Sequence, residues 1–434
     1  MPVLLRFCIG SILAHFWSHL SFFQLVTKRT FSENSLSIED GNGDKVEAYF
    51  NGVGQLVKFK DGGNNEYTIE LNDNGTLDTV TYPDGSTKTY SYFENGHMTK
   101  TQNEAEVRYE FDDKGRLIMK DFGEGFVSSY SYDSDGSLTK ADNEKGEISI
   151  VYSGSNIKYM SYGEESTISY NYNDDGLITD LTTNDGYSVS YNYNYLRQLE
   201  EVYTGSRRLL NAEYTSSGKI KRKVLGNNAS TVFEYDKTTG LLTSLTNYYP
   251  NGTISSFFAY KYSTRNRRVA VTSNEGTWRF QYDRSGQVTS MTEPHGIVTQ
   301  YRYDNRKNRE AVVEDNVERR NEVNEMNQYV QYGETNIVHD KNGNLIKKVS
   351  SIAGNSTYVY DEDNKLIAYT GSNGASCQFK YDALGNLKEK VCDGHITRYL
   401  VSMQGIYDTD ILEKVMFISK SRIHLQVKLK SLLL

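Results

Sequence analysis

Proline is nearly missing from this sequence, at 4 of 434 residues, and cysteine is scarcer still, at 3. So few thiols exclude a disulfide scaffold and a zinc framework, which need several at fixed spacings. Aliphatic side chains do not dominate either. Hydrophobic residues make up only 37% of the chain, which argues against a thick Leu/Ile/Val core. The formal net charge of −8 is spread along the sequence, and the repeat region holds no concentrated basic face. Phosphate binding needs such a face, so nucleic acid is not an expected partner. The seven histidines (His15, His19, His97, His295, His339, His395 and His424) form no metal-spaced pair within the repeats. A phosphate-cradling glycine loop, a nucleophile elbow and a His-Glu-x-x-His helix are all lacking. The sequence therefore predicts no catalytic residue and no cofactor.

What is abundant is tyrosine, at 35 residues, matched by 35 glycines. Tyr132, Tyr152, Tyr172, Tyr193, Tyr214 and Tyr235 stand 20 or 21 residues apart, and Tyr262, Tyr282, Tyr303, Tyr360 and Tyr381 resume the series. Most are followed by Asp or Asn, then a turn glycine, then an aliphatic residue, as in Tyr132-Asp133-Ser134-Asp135-Gly136-Ser137-Leu138. A second aromatic sits two residues earlier, for instance Tyr130, Tyr170, Tyr191, Phe233, Tyr260, Phe280, Tyr301, Tyr358 and Phe379. Residues i and i+2 of a strand share a face, so each aromatic pair points one way. The Asp bonds backbone ahead of it and the Gly takes a positive φ, which makes the segment a turn. Two short strands and two turns consume about 20 residues, so one repeat is one β-hairpin. A lone hairpin is marginal in water. The repeats must stack into a continuous sheet, which right-handed strand twist curls into a spiral. The expected fold is all-β: hairpins of about 21 residues forming a curled, incomplete β-shell.

Three zones are expected. Residues 1–32 lack acidic side chains and run apolar from about Phe7 to Val26, as a secretory signal, an anchor or an unstructured start would. Residues 45–400 are the array. Residues 401–434 form a non-repeat tail, basic and aliphatic from Lys414. Any contact with a membrane is confined to 1–32. Cys377 and Cys392 flank the turn at Gly385 and are candidates for a cross-strand disulfide if the chain is secreted. Strand alternation alone puts them on different faces unless a bulge intervenes. Asn74, Asn228, Asn251 and Asn355 are glycosylation acceptors by sequence. The acidic turns at Asp133, Asp174 and Asp361 lack the bidentate acid that a calcium loop needs in register. The aromatic rows could stack on carbohydrate if exposed, or pack the wall.

The Tyr-Asp repeats over residues 45–400 resemble the YD repeat of the rearrangement-hotspot (Rhs) proteins and teneurins. The shortened period between the turns at Asn327 and Gly343 is similar to a contracted repeat that these families place late in the spiral. His339 stands there where a Tyr is expected. The resemblance implies a hollow β-shell wall without enzymatic activity. It leaves two functions open: a teneurin-like extracellular recognition protein that meets a cell-surface receptor, or an Rhs-type toxin-encapsulating shell. In either case the partner is protein, a receptor or the rest of a larger shell, and the site is extracellular or membrane-anchored in the first. The segment that seals the family's shell has no counterpart here, so the wall is expected to be partial.

Overall fold

The computed structural model describes residues 26–400, apart from 94–96, 103, 104, 124 and 165. Throughout them the chain is β: 37 strands, from Val26–Ser32 to His395–Arg398, with no helix among the described residues. Each strand pairs antiparallel with the next in sequence, so the sheet is one long meander. It starts earlier than the expected boundary at residue 45. Strands Val26–Ser32 and Ser35–Asp40 precede that point, and the first lies inside the 1–32 segment. Ser35-Leu36-Ser37-Ile38 alternates in strand period without the tyrosine that marks later repeats, which is why the motif misses it. Residues 1–25 and the 401–434 tail lie outside the described residues.

Each turn is built as its sequence dictates. Asp133 N–H bonds the Ser137 carbonyl at 3.0 Å, and Gly136 N–H bonds the Asp133 carbonyl at 3.2 Å. The Asp133 carboxylate accepts from the N–H groups of Asp135 at 3.0 Å and Ser137 at 2.8 Å. Gly136 has φ 92°, so this is a three-residue hairpin loop with a left-handed third residue. Asn266, Asn327 and Asn364 fill that position in other repeats, in keeping with the tolerance of Asn for it.

A bulge follows the turn. Tyr193 faces Leu199, but Asn192 faces Glu201, leaving Glu200 unpaired. Bulges disrupt the ladder locally, and the next repeat repairs this one: the Tyr214 hydroxyl donates to the Leu199 carbonyl at 2.6 Å. The same bond joins Tyr172 to Ile157 at 2.8 Å, Tyr193 to Ile178 at 2.8 Å, Tyr235 to Ile220 at 2.9 Å and Tyr381 to Leu366 at 2.9 Å. The repeated tyrosine is therefore a clamp between consecutive hairpins, which accounts for its period. Its upstream partner is packing: Tyr170 faces Leu181 and Tyr191 faces Val202, with both rings buried. The largest apolar cluster runs along this face from Ile148 to Leu210. Burial there pushes the Tyr162 and Tyr191 phenols well above the ordinary range.

The short period is real. Turns Asn324–Gln328 and Asp340–Asn344 enclose strands of only four and five residues, Tyr329–Tyr332 and Thr335–His339. His339 faces Leu345 across the bulge, in the clamp tyrosine's place.

Candidate functional site: the seam between coils

The curl brings the sheet back onto itself. Asn42 N–H reaches the Ser285 hydroxyl at 3.1 Å, Lys120 meets Asp363 at 2.8 Å, and the Lys388 ammonium bonds the Lys145 carbonyl at 2.8 Å. All three pairs are separated by 243 residues. A constant offset over more than a hundred residues means that the ribbon completes a turn and stacks on its own rim. Val26 to Leu400 at this offset makes about one and a half turns. The Asp-x-x-Gly turns of the second coil seat on the opposite-end turns of the first.

Close approach sets what the first rim can carry. A Cβ on Gly41 would lie 2.6 Å from the Arg284 carbonyl oxygen, and one on Gly62 would lie 2.2 Å from that of Asn305. Glycine is required at both because backbone meets backbone.

The seam's anchor is a buried charge cluster. Lys307 from the second coil contacts the carboxylates of Asp40 and Asp44, and the Asp40 side chain is fully buried. Ser285 donates to Asp40 at 2.6 Å, while the Asn42 and Asp44 N–H groups bond its other oxygen at 2.9 and 3.0 Å. Burial alone would raise the Asp40 pKa. The bonds from Lys307 and Ser285 outweigh it and hold the carboxyl below its ordinary value. Farther along, the charge order reverses: Lys120 and Lys145 on the first rim meet Asp363 and Asp361 on the second. The Tyr130 hydroxyl adds a bond to the Ala383 carbonyl at 3.1 Å. Here burial pushes the Asp382 carboxyl above the ordinary aspartate range, against N–H bonds from Asn386 and Leu384. Sequence reasoning missed this seam entirely, because none of its residues breaks the repeat pattern.

The sequence-derived candidates fall elsewhere. Cys377 and Cys392 are directly opposite each other, with Cα atoms 4.1 Å apart and the sulfurs joined. Lys388 is the bulged residue that brings them onto one face. Closing a loop of 15 residues stabilises by about 3 kcal/mol in the chain-entropy picture. Reductant is expected to lower the melting temperature and raise amide exchange in residues 376–398, while leaving exchange at 148–210 unchanged. Asn74, Asn228, Asn251 and Asn355 are all exposed, well apart, in or beside turns. The side-chain carbonyls of Asn74 and Asn251 accept from Thr76 and Thr253.

A family model described as Teneurin YD-shell matches residues 262–407. Over those residues the chain is similar to the YD-shell family, and its fold throughout the described residues is a curled β-shell. In the Photorhabdus luminescens Tc holotoxin pore, a chain aligns over 86% of this shell and 26% of its own length, with TM-score 0.56 and 11% identity. A chain of the TcdB2-TccC3 complex without its hypervariable C-terminal region aligns over 86% of the shell and 26% of its own length, with TM-score 0.51 and 12% identity. These likenesses establish the fold. By sequence, the shell is 28% identical over 235 residues to the tRNA3(Ser)-specific nuclease WapA of Bacillus spizizenii, covering 52% of this chain. It is 27% identical over 230 residues to the tRNA nuclease WapA of Bacillus subtilis, covering 51% of this chain. The match spans about a tenth of the length of those curated relatives.

Proposed function

We propose that this chain is a non-enzymatic wall segment that encloses or presents a polypeptide partner, the Rhs-type role. The observation that carries the reading is the seam. A sheet that stacks coil on coil at a fixed offset, with buried and bonded contacts between coils, is built to bound a space. The solved neighbours are named as parts of a Tc holotoxin pore and of a TcdB2-TccC3 complex, which supports a protein partner.

A teneurin-like extracellular role is the second reading. It is favoured by the match over residues 262–407 and by the exposed glycosylation acceptors. Two measurements test the pair. Purified full chain incubated with total tRNA is expected to leave it intact, and turnover above a blank would overturn the non-enzymatic wall. Expression through a secretory pathway, followed by intact-mass analysis, is expected to show no glycan on the wall. Quantitative modification of Asn74 and Asn251 would move the balance to the extracellular role.

A further inference from the structure

The residue that follows each bulge turn packs against the clamp tyrosine, and it is aliphatic in nearly every repeat: Leu138, Ile178, Leu199, Ile220, Leu242, Val288, Leu366 and Leu387. Two repeats, one on each side of the Val288 repeat, break the rule with arginine. Arg268 faces Tyr262 and Arg309 faces Tyr303 in the same register. Both guanidinium groups lie on aromatic rings, 4.6 Å from the centroid of Tyr260 and 4.7 Å from that of Tyr301. The Nε atom of each is buried and has no hydrogen-bond partner. Among the described residues neither arginine has a carboxylate within ion-pair distance. A cation set on an apolar face without a counter-charge is costly, and stacking on tyrosine offsets only part of that cost.

The surrounding face is not closed. Trp278, Phe280, Met291, Tyr301 and Val312 are half-buried, unlike the fully buried Tyr170 and Tyr191 of the earlier coil. The two arginines lie on strands four steps apart in the meander, about 19 Å at the usual strand spacing. An extended peptide crossing the strands would cover that distance in about six residues.

We propose that this face binds an acidic, extended polypeptide segment, with carboxylates about six residues apart seated on Arg268 and Arg309 and apolar side chains between them on Trp278, Phe280 and Met291. Planar guanidinium groups pair with carboxylates through two parallel N–H bonds, and aromatic neighbours exclude the water that would weaken them. The inference deepens the wall reading by naming the chemistry of the enclosed partner.

The test uses the intact chain and a fluorescein-labelled peptide carrying two glutamates six residues apart among apolar and small residues. The same peptide with glutamines and a single-stranded oligonucleotide are the comparisons. The glutamate peptide is expected to bind and to quench Trp278, with the glutamine peptide at least tenfold weaker. Arg268→Leu and Arg309→Leu install the residue type found in the other repeats, so the double variant is expected to fold and melt at or above the parent temperature. It is also expected to lose at least tenfold in affinity. Equal binding of glutamate and glutamine peptides, equal binding by the double variant, or preference for the oligonucleotide would overturn the proposal. So would a double variant that unfolds, since the arginines would then be structural. In each of those cases, amide protection at residues 40–44 and 283–308 of the parent chain by hydrogen exchange would leave the wall reading standing.

Discussion

Lys307→Met is expected to destabilise the chain by roughly 3–5 kcal/mol, the range for removing one partner of a buried ion pair. The loss should fall on the seam. Lys307 is the second coil's contact with two first-coil carboxylates, and without its ammonium Asp40 keeps a buried negative charge beside Asp44. Hydrogen exchange should rise together at residues 40–44 and 283–308, far apart in sequence, while the cluster at 148–210 keeps its protection. The effect also has a pH signature. The folded-state pKa of Asp40 is held below its ordinary 3.8, so its stabilising contribution is complete above that value. It is lost as the pH falls through the lower folded value. Urea midpoints of parent and variant should therefore differ most near neutrality and converge in strong acid. A variant with the parent's midpoint at pH 7 would show that the coils are held by something else.

The second large effect is expected from Tyr191→Ala with Tyr193→Ala. Aromatic truncation in a packed site costs roughly 3–5 kcal/mol, and here the two rings do different work. Tyr191 is a buried packing residue opposite Val202, whereas Tyr193 sends its hydroxyl to the Ile178 carbonyl. Tyr193→Phe isolates the clamp and should cost about 1 kcal/mol, the usual net value of one hydrogen bond. Denaturant titration of both variants checks the division. A double variant that melts like the parent would mean that the rings are not part of the core.

Much of the fold was legible because its rules are local. The Asp-x-x-Gly turns, the shared face of each aromatic pair and the contracted repeat all follow from strand period and turn chemistry within one or two hairpins. The cysteine pair shows where local reading stops. Counting by alternation separates Cys377 from Cys392, and only the bulge at Lys388 puts them face to face. The tyrosine clamp needed three dimensions for the same reason, since its acceptor is a carbonyl exposed by a bulge in the preceding strand. The seam was illegible for a different cause. Its partners are set by curvature summed over the strands between them, and Asp40, Gly62 and Lys307 look like ordinary turn residues. The two arginines at 268 and 309 stand where other repeats carry an aliphatic residue, and their significance depends on lacking a neighbour of opposite charge.

The constant offset also makes this molecule a counter. In most repeat arrays each unit feels only its neighbours, and units can be added or lost with little penalty. Here a hairpin deleted anywhere between Asp44 and Asp283 would leave every ladder bond repairable, yet it would slide the second coil by one repeat against the first. The Asp40 turn would then face the Asp304 turn in place of Ser285, and Gly41 and Gly62 would no longer lie under the Arg284 and Asn305 carbonyls they make room for. Individual repeats are free to drift in sequence, but their number is not. Drift in length is thus checked by residues that lie outside the altered repeat, hundreds of positions away.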